Sequence, residues 1–197
     1  MQKFLCETHR IRYAISHGIL RTLLGHYLAV NPSSISFSQE KYGKPRLSPA
    51  LVQSELDFNL SHTNCLGLLA VAAGLSVGVD VEDLSPIETT VAEHHFSAQE
   101  RADLKELSGA AWLEGFYNCW TRKEAILKAE GLGLTVSLGS FDVTLRPGAE
   151  ARLIGFQPME GLTKSWHLTH LRPTRRSIGA LATSDAPSGV ECYRFTI

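Results

Sequence analysis

Apolar residues recur at four-residue steps near the start of the chain, at Ile11, Ile15, Ile19, Leu23 and Tyr27. That period matches one face of a helix, so a helix is predicted over 10–30. Asn31-Pro32 ends it, because proline disfavours helix in the residue before it. A short strand is predicted around Ile35 and Phe37, and a turn at Tyr42-Gly43-Lys44-Pro45 from its glycine and proline. The pattern then shortens to the period of a strand over 56–60, 66–71 and 75–81, the last two joined as a hairpin at Ala72-Ala73-Gly74. Helical spacing returns over 87–107, broken at Phe96-Ser97, where Ser97 caps the second helix and Glu100 completes a capping box. A long helix follows over 110–130 and stops at Gly131 and Gly133. Strands are predicted over 141–145, 152–156, 165–171, 178–183 and 192–197.

This order reads as an α+β protein made of two halves, 1–75 and 76–197, meeting near Leu75. At 197 residues, 44% hydrophobic and 20% charged, the chain has the composition of a globular protein with a real core. Its formal net charge of -1 gives no global field toward nucleic acid or a membrane surface. The longest apolar run, 66–79, is interrupted by glycines and a serine and falls short of the about 20 residues a membrane span needs. The N-terminus carries no signal-peptide pattern. Cys6, Cys65, Cys119 and Cys192 form no C-x-x-C pair and match no common zinc spacing. A cytoplasmic, monomeric protein with reduced thiols, and with neither nucleic acid nor membrane as partner, is expected.

The chemistry concentrates in Val77-Gly78-Val79-Asp80-Val81-Glu82. On a strand, Gly78, Asp80 and Glu82 share one face and the valines the other. Two carboxylates on one face repel unless a cation lies between them, and oxygen ligands suit magnesium or manganese better than zinc. The run alone is equally compatible with a solvated acidic edge. A third carboxylate weighs against that. Leu113, Tyr117, Trp120, Glu124 and Leu127 fall on one line of the long helix, so Glu124 interrupts an apolar stripe, where a charge is costly unless paired or metal-bound. The alternative is a surface pair between Glu124 and Lys128, one turn on.

Basic and hydroxyl candidates for an anion are His62 at a strand end beside Ser61, Lys44 in its turn, Arg10, Arg12 and Arg21 on the first helix, and Lys123 and Lys128 flanking Glu124. Ser61 and His62 are not a nucleophile and base pair, since strand neighbours point to opposite faces and no Gly-x-Ser-x-Gly elbow is present. His94-His95 has no third ligand at a recognisable spacing and is read as structural.

Taken together these segments resemble the Sfp-type 4′-phosphopantetheinyl transferases over about 12–145. The first family signature is similar to residues 77–82, the second to Trp120-Thr121-Arg122-Lys123-Glu124-Ala125-Ile126-Leu127-Lys128, with support from 19–25, 42–45, 58–62 and Phe96-Ser97. The resemblance implies a pseudo-twofold pair of similar α/β halves with the active site between them. It implies transfer of the phosphopantetheine arm of coenzyme A to a serine of an acyl or peptidyl carrier protein, dependent on Mg²⁺ or Mn²⁺, with release of adenosine 3′,5′-bisphosphate. Asp80, Glu82 and Glu124 would hold the metal. Lys128 and His62, with Ser61 and Lys123, would meet the phosphates, and Arg21, Thr22, Tyr42, Gly43, Lys44 and Pro45 the nucleotide end. Glu124 is the first choice of base, Glu100 the second; Asp80, Glu124 and Lys128 form the expected catalytic set. Family members carry a further N-terminal stretch before the first helix, so a shortened chain or a more open nucleotide site is expected, and His17 stands where relatives often carry arginine. The competing readings are a magnesium-dependent phosphohydrolase acting on a pyrophosphate and a non-catalytic module binding carrier protein or coenzyme A.

Overall fold

The computed structural model describes residues 7–49, 51, 55–154 and 165–195. Helix α1 (Glu7–Leu28) opens the fold. The predicted helix is present, and its buried side lies beside the period-four stripe: Leu20 and Leu24 are sealed against Ile35, Leu47 and Phe58, while Ile11, Ile15 and Tyr27 are 51%, 47% and 56% exposed. The helix is apolar on more than one side, and the core takes the side one residue, about 100°, around from the period-four line.

A 3₁₀ turn at Pro32–Ser34 leads into β1 (Phe37–Gln39), which pairs antiparallel with β2 (Pro45–Leu47). The connecting turn carries Gly43 at φ +94°, a conformation that favours glycine. Strands β3 (Leu56–His62) and β4 (Gly67–Ala73) form a complete antiparallel hairpin. The predicted hairpin at Ala72-Ala73-Gly74 does not form. The chain turns there, but β5 (Val77–Asp83) pairs with β9 (Ser177–Thr183), which pairs in turn with β8 (His167–Thr174). The partner of β5 is remote in sequence, and local turn chemistry could not reveal it.

Between these strands lie α2 (Thr89–His95), α3 (Ala98–Lys105) and α4 (Gly109–Glu130), with a small ribbon of β6 (Asp142–Val143) and β7 (Leu153–Ile154). The capping box of Ser97 and Glu100 is present at the start of α3, and Gly131 closes α4 in the left-handed conformation at φ +75°. Of the strand predicted over 192–197, the described residues 192–195 pair with nothing; Tyr193 and Phe195 are 81% and 52% exposed, so no core holds them. The end of the strand predicted over 152–156 lies outside the described residues.

Two features bring separate parts of the chain to one seam. The first is α4, which lies across the β5-β9-β8 sheet so closely that a Cβ on Gly78 would come 2.1 Å from the Ala125 carbonyl and 2.4 Å from the Ala129 nitrogen. Only glycine permits that approach. The second is the free edge of β5. Its buried amides must find acceptors, and alternate side chains of β3 supply them. Val77 N–H donates to Asp57 Oδ2 at 2.8 Å, Val79 N–H to Asn59 Oδ1 at 2.8 Å, and Val81 N–H to Ser61 Oγ at 3.3 Å. The outer edge of one sheet is thus closed by the polar side chains of another. The other face of β5 packs Val77 and Val79 with Leu68, Ala70 and Ala72 of β4.

Candidate active site

Asp80 leaves β5 on the face covered by α4 and is 3% exposed. Lys128 of α4 places its Nζ 2.5 Å from Asp80 Oδ1. Ser61 of β3 donates to the same oxygen at 2.9 Å and accepts from Lys128 at 3.0 Å. Three elements therefore converge on one carboxylate oxygen. The other, Oδ2, is buried and has no hydrogen-bond partner. Leaving such an acceptor unpaired is costly, and an unmatched carboxylate oxygen in this position is what a cation ligand looks like before its cation arrives.

Glu82 and Glu124 are half-buried beside it. Burial, then the neighbouring Asp80, pushes the Glu82 carboxyl up to about 7, with Asp83 and Glu124 adding to the rise and Lys128 opposing it. Glu124 is raised by burial first and by Asp80 second, and Lys128 again opposes. Glu82 and Glu124, predicted from separate motifs, thus both lie in the field of Asp80, which disfavours their charge. Lys128 answers Asp80 rather than forming the surface pair with Glu124. Among the described residues no three His, Cys, Asp or Glu side chains are closed around a single metal position. The donor set itself, hard carboxylate oxygens with one orphaned, fits a divalent cation of the magnesium type.

His62 ends β3 and is exposed. It lies close enough to His17, together with Arg21, to lower the His17 imidazole, although burial is the larger cause. Arg21 is held by the Ile35 carbonyl and sits over the Phe37 ring, 5.1 Å from its centroid. Thr22 is exposed and its hydroxyl donates to the Gly18 carbonyl at 3.0 Å. The 40–44 turn packs against the end of α4, with Tyr42 and Gly43 exposed and Pro45 half-buried.

Two lysines have other work than the sequence suggested. Lys44 is buried, and its ammonium donates to Asp57 Oδ2 at 3.0 Å, the Val77 carbonyl at 2.9 Å and the Ala129 carbonyl at 3.0 Å. An ammonium has three donors, so none remains for a nucleotide, and the backbone of that turn and the side chains of Lys41 and Tyr42 face outward. Lys123 is fully buried, 2.8 Å from Glu100 Oε1, and donates to the Leu138 and Phe141 carbonyls. Glu100 also accepts from the amides of Ser97 and Val143, at 3.0 Å and 2.9 Å. The expected phosphate contact of Lys123 gives way to a structural role, and Glu100 is shut away from any substrate hydroxyl. Two contributors were missed: Asp57 and Asn59 alternate with apolar residues on β3 as Ser61 does, and that polar face was the available signal.

Residues 76–182, more than half the chain, match the model of the 4′-phosphopantetheinyl transferase superfamily. The 4′-phosphopantetheinyl transferase HetI of Nostoc sp. (strain PCC 7120 / SAG 25.82 / UTEX 2576) is 34% identical over 92% of this chain and 74% of its own length. The Sfp and ffp 4′-phosphopantetheinyl transferases of Bacillus subtilis are 31% and 36% identical over 77% and 73% of this chain. The chain spans 66% and 62% of those two relatives. Among solved structures, Thermotoga maritima holo-[acyl-carrier-protein] synthase (AcpS) is similar with a TM-score of 0.42 and 22% identity, over 55% of this chain and 61% of that one. No helix among the described residues is long and apolar enough to cross a membrane.

Proposed function

The chain belongs to the 4′-phosphopantetheinyl transferase superfamily, a family of transferases, and we propose that it moves the phosphopantetheine arm of coenzyme A to a serine hydroxyl of an acyl or peptidyl carrier protein. The observation that carries this reading is the meeting of Asp80, Glu82, Glu124 and Lys128 at one seam, with Asp80 Oδ2 buried and unmatched. In this reading 1–75 and 76–197 are the two halves, and the site lies between them, drawing Ser61 and His62 from the first.

Asp80, Glu82 and Glu124 would hold Mg²⁺ or Mn²⁺, which supplies charge neutralisation on the pyrophosphate. Lys128 reaches the same place on a half-exposed stem and donates to phosphate oxygens as charge builds on them. Glu124, whose carboxyl is pushed above the usual carboxylate range by burial and then by Asp80, is a better proton acceptor than an ordinary carboxylate. The serine oxygen forms a bond to the β-phosphorus of coenzyme A. The bridging P–O bond breaks, adenosine 3′,5′-bisphosphate leaves with the electron pair, and the serine proton passes to Glu124. Arg21, His62 and the exposed Tyr42-Gly43 turn, with Thr22 and Pro45 beside them, are read as the nucleotide side. The protein would work as a monomer in the cytoplasm.

Intact mass spectrometry of an apo-carrier protein, incubated with coenzyme A and Mg²⁺, tests this directly. A gain of one phosphopantetheine group is expected, and Asp80→Asn should slow it by about 10²–10³-fold while the protein stays folded. Phosphopantetheine released to water with no gain on the carrier would instead indicate a phosphohydrolase. Carrier binding without turnover would indicate a non-catalytic module.

A further inference from the structure

The seam already contains a cation, the ammonium of Lys128. It lies 2.5 Å from Asp80 Oδ1 and 3.0 Å from Ser61 Oγ, and Ser61 donates to the same Oδ1. One oxygen of Asp80 is therefore doubly satisfied while its twin, in the same buried carboxylate, is empty-handed. The other lysines bound to buried carboxylates differ in one respect. The side chains of Lys44 and Lys123 are 2% and 0% exposed and each is locked by three acceptors. That of Lys128 is 29% exposed, and its two contacts are both at the site. A flexible four-carbon stem in that position can swing out without disturbing the core.

A divalent cation on Asp80 and an ammonium on Asp80 repel strongly at such short range, so the two occupancies compete. We infer that Lys128 is an exchangeable counter-ion: it holds Asp80 in the unliganded protein and yields it to the metal only when a phosphate group arrives to receive the ammonium. This rests on the reading of the carboxylates as metal ligands and adds a direction to it. Free metal binds weakly because Lys128 must leave unpaired. Coenzyme A binds weakly alone because its phosphates meet three carboxylates. Together each relieves the other, and linkage requires the effect to be mutual.

The test is Mn²⁺ binding followed by electron paramagnetic resonance on the full chain, with no carrier protein, in the presence and absence of saturating coenzyme A. In the wild type, coenzyme A should tighten Mn²⁺ binding by tenfold or more. Lys128→Met should bind Mn²⁺ at least tenfold tighter than wild type when coenzyme A is absent, and the tightening by coenzyme A should shrink by a similar factor. Lys128→Gln carries the same expectation if the methionine variant does not fold, and Lys128→Arg should keep the wild-type pattern. Equal Mn²⁺ affinity of Lys128→Met and wild type without coenzyme A overturns the exchange. So does a gain that is the same with and without coenzyme A, because general electrostatics would produce it. If the wild type binds no Mn²⁺ even with coenzyme A, or Asp80→Asn binds it as well as wild type, the metal-site reading itself fails.

Discussion

Helix α4 carries two lysines against carboxylates, and the two environments are opposites. Lys123 and Glu100 are 0% and 1% exposed. Every donor of that ammonium has an acceptor, Glu100 adds two backbone amides, and the Phe141 ring lies 4.4 Å from the charge. Lys128 and Asp80, little more than a turn further along, have one partly exposed lysine and one orphaned oxygen. Both pairs are short and both join separate elements. What separates structure from chemistry is the state of the remaining valences. A completed set of partners fixes α3, α4 and β6 together. An incomplete one leaves an acceptor to be claimed by something that is not protein.

The largest expected effect comes from breaking the sealed pair. Lys123→Met should lower stability by about 3–5 kcal/mol, since it strands a buried carboxylate; at about 2–4 °C per kcal/mol for a chain of this size, the thermal midpoint falls by roughly 6–20 °C. Phosphopantetheine transfer per folded molecule, measured well below that midpoint, should stay near wild type. A variant that melts normally but transfers poorly would place Lys123 in the chemistry and dissolve the contrast between the two pairs.

This contrast was only half visible in the sequence. Asp80 and Glu82 could be put on one strand face by alternation alone, and the Ser97–Glu100 capping box and the Gly131 stop by local spacing, because those signals are carried within a few residues. Glu124 stood out as a charge on an apolar line. Lys123 and Lys44 did not betray their burial, because a lysine looks the same in sequence whether its acceptors are water or the carbonyls of Leu138, Phe141, Val77 and Ala129. Arg122 is similar: it sits inside the recognisable signature, yet it is buried and bonded to Thr144, with burial lowering its guanidinium to about 10. The buried side of α1 was hidden for a different reason. Where a helix is apolar on several sides, periodicity identifies a helix but not the side that the core selects. The pairing of β5 with β9 and its side-chain ladder to β3 depend on contacts remote in sequence, and no local pattern encodes them.

A smaller effect is expected from the close approach that creates the open pair. Gly78→Ala would drive a methyl group into backbone atoms of α4 on both sides, Ala125 and Ala129, and backbone cannot rotate away as a side chain can. Overpacking of this kind costs about 1–3 kcal/mol. The strand must move off the helix, and Asp80 moves with it, so transfer should fall out of proportion to the loss of stability. Circular dichroism melting and carrier-protein mass gain on the same sample distinguish the two. A variant with lowered stability and wild-type transfer would mean that the Asp80–Lys128 spacing tolerates displacement.

The smallest effect sharpens the comparison through pH, and its sign follows from Glu82. Its carboxyl lies near 7 in the folded protein against an ordinary 4.5, with burial the main cause and Asp80 the second. Between those values the folded state holds a proton that the unfolded chain has released. Stability contributed by this group is therefore fully present below about 4.5 and is lost as pH rises through about 7. In Glu82→Gln the side chain no longer titrates, so the metal-free variant should gain on wild type as pH rises from 5 to 8. Glu82 is half-exposed, which limits the gain to no more than about 1 kcal/mol after solvent screening, or about 2–4 °C in the thermal midpoint. Saturating Mg²⁺ with coenzyme A should reverse the order at pH 8, because the ionised Glu82 that burdens the metal-free protein is the form that would bind a cation. If the variant and wild type differ by the same amount at every pH, with the ligands and without them, the Glu82 carboxyl lies outside the field of Asp80, and the open pair is no more poised for a cation than the sealed one.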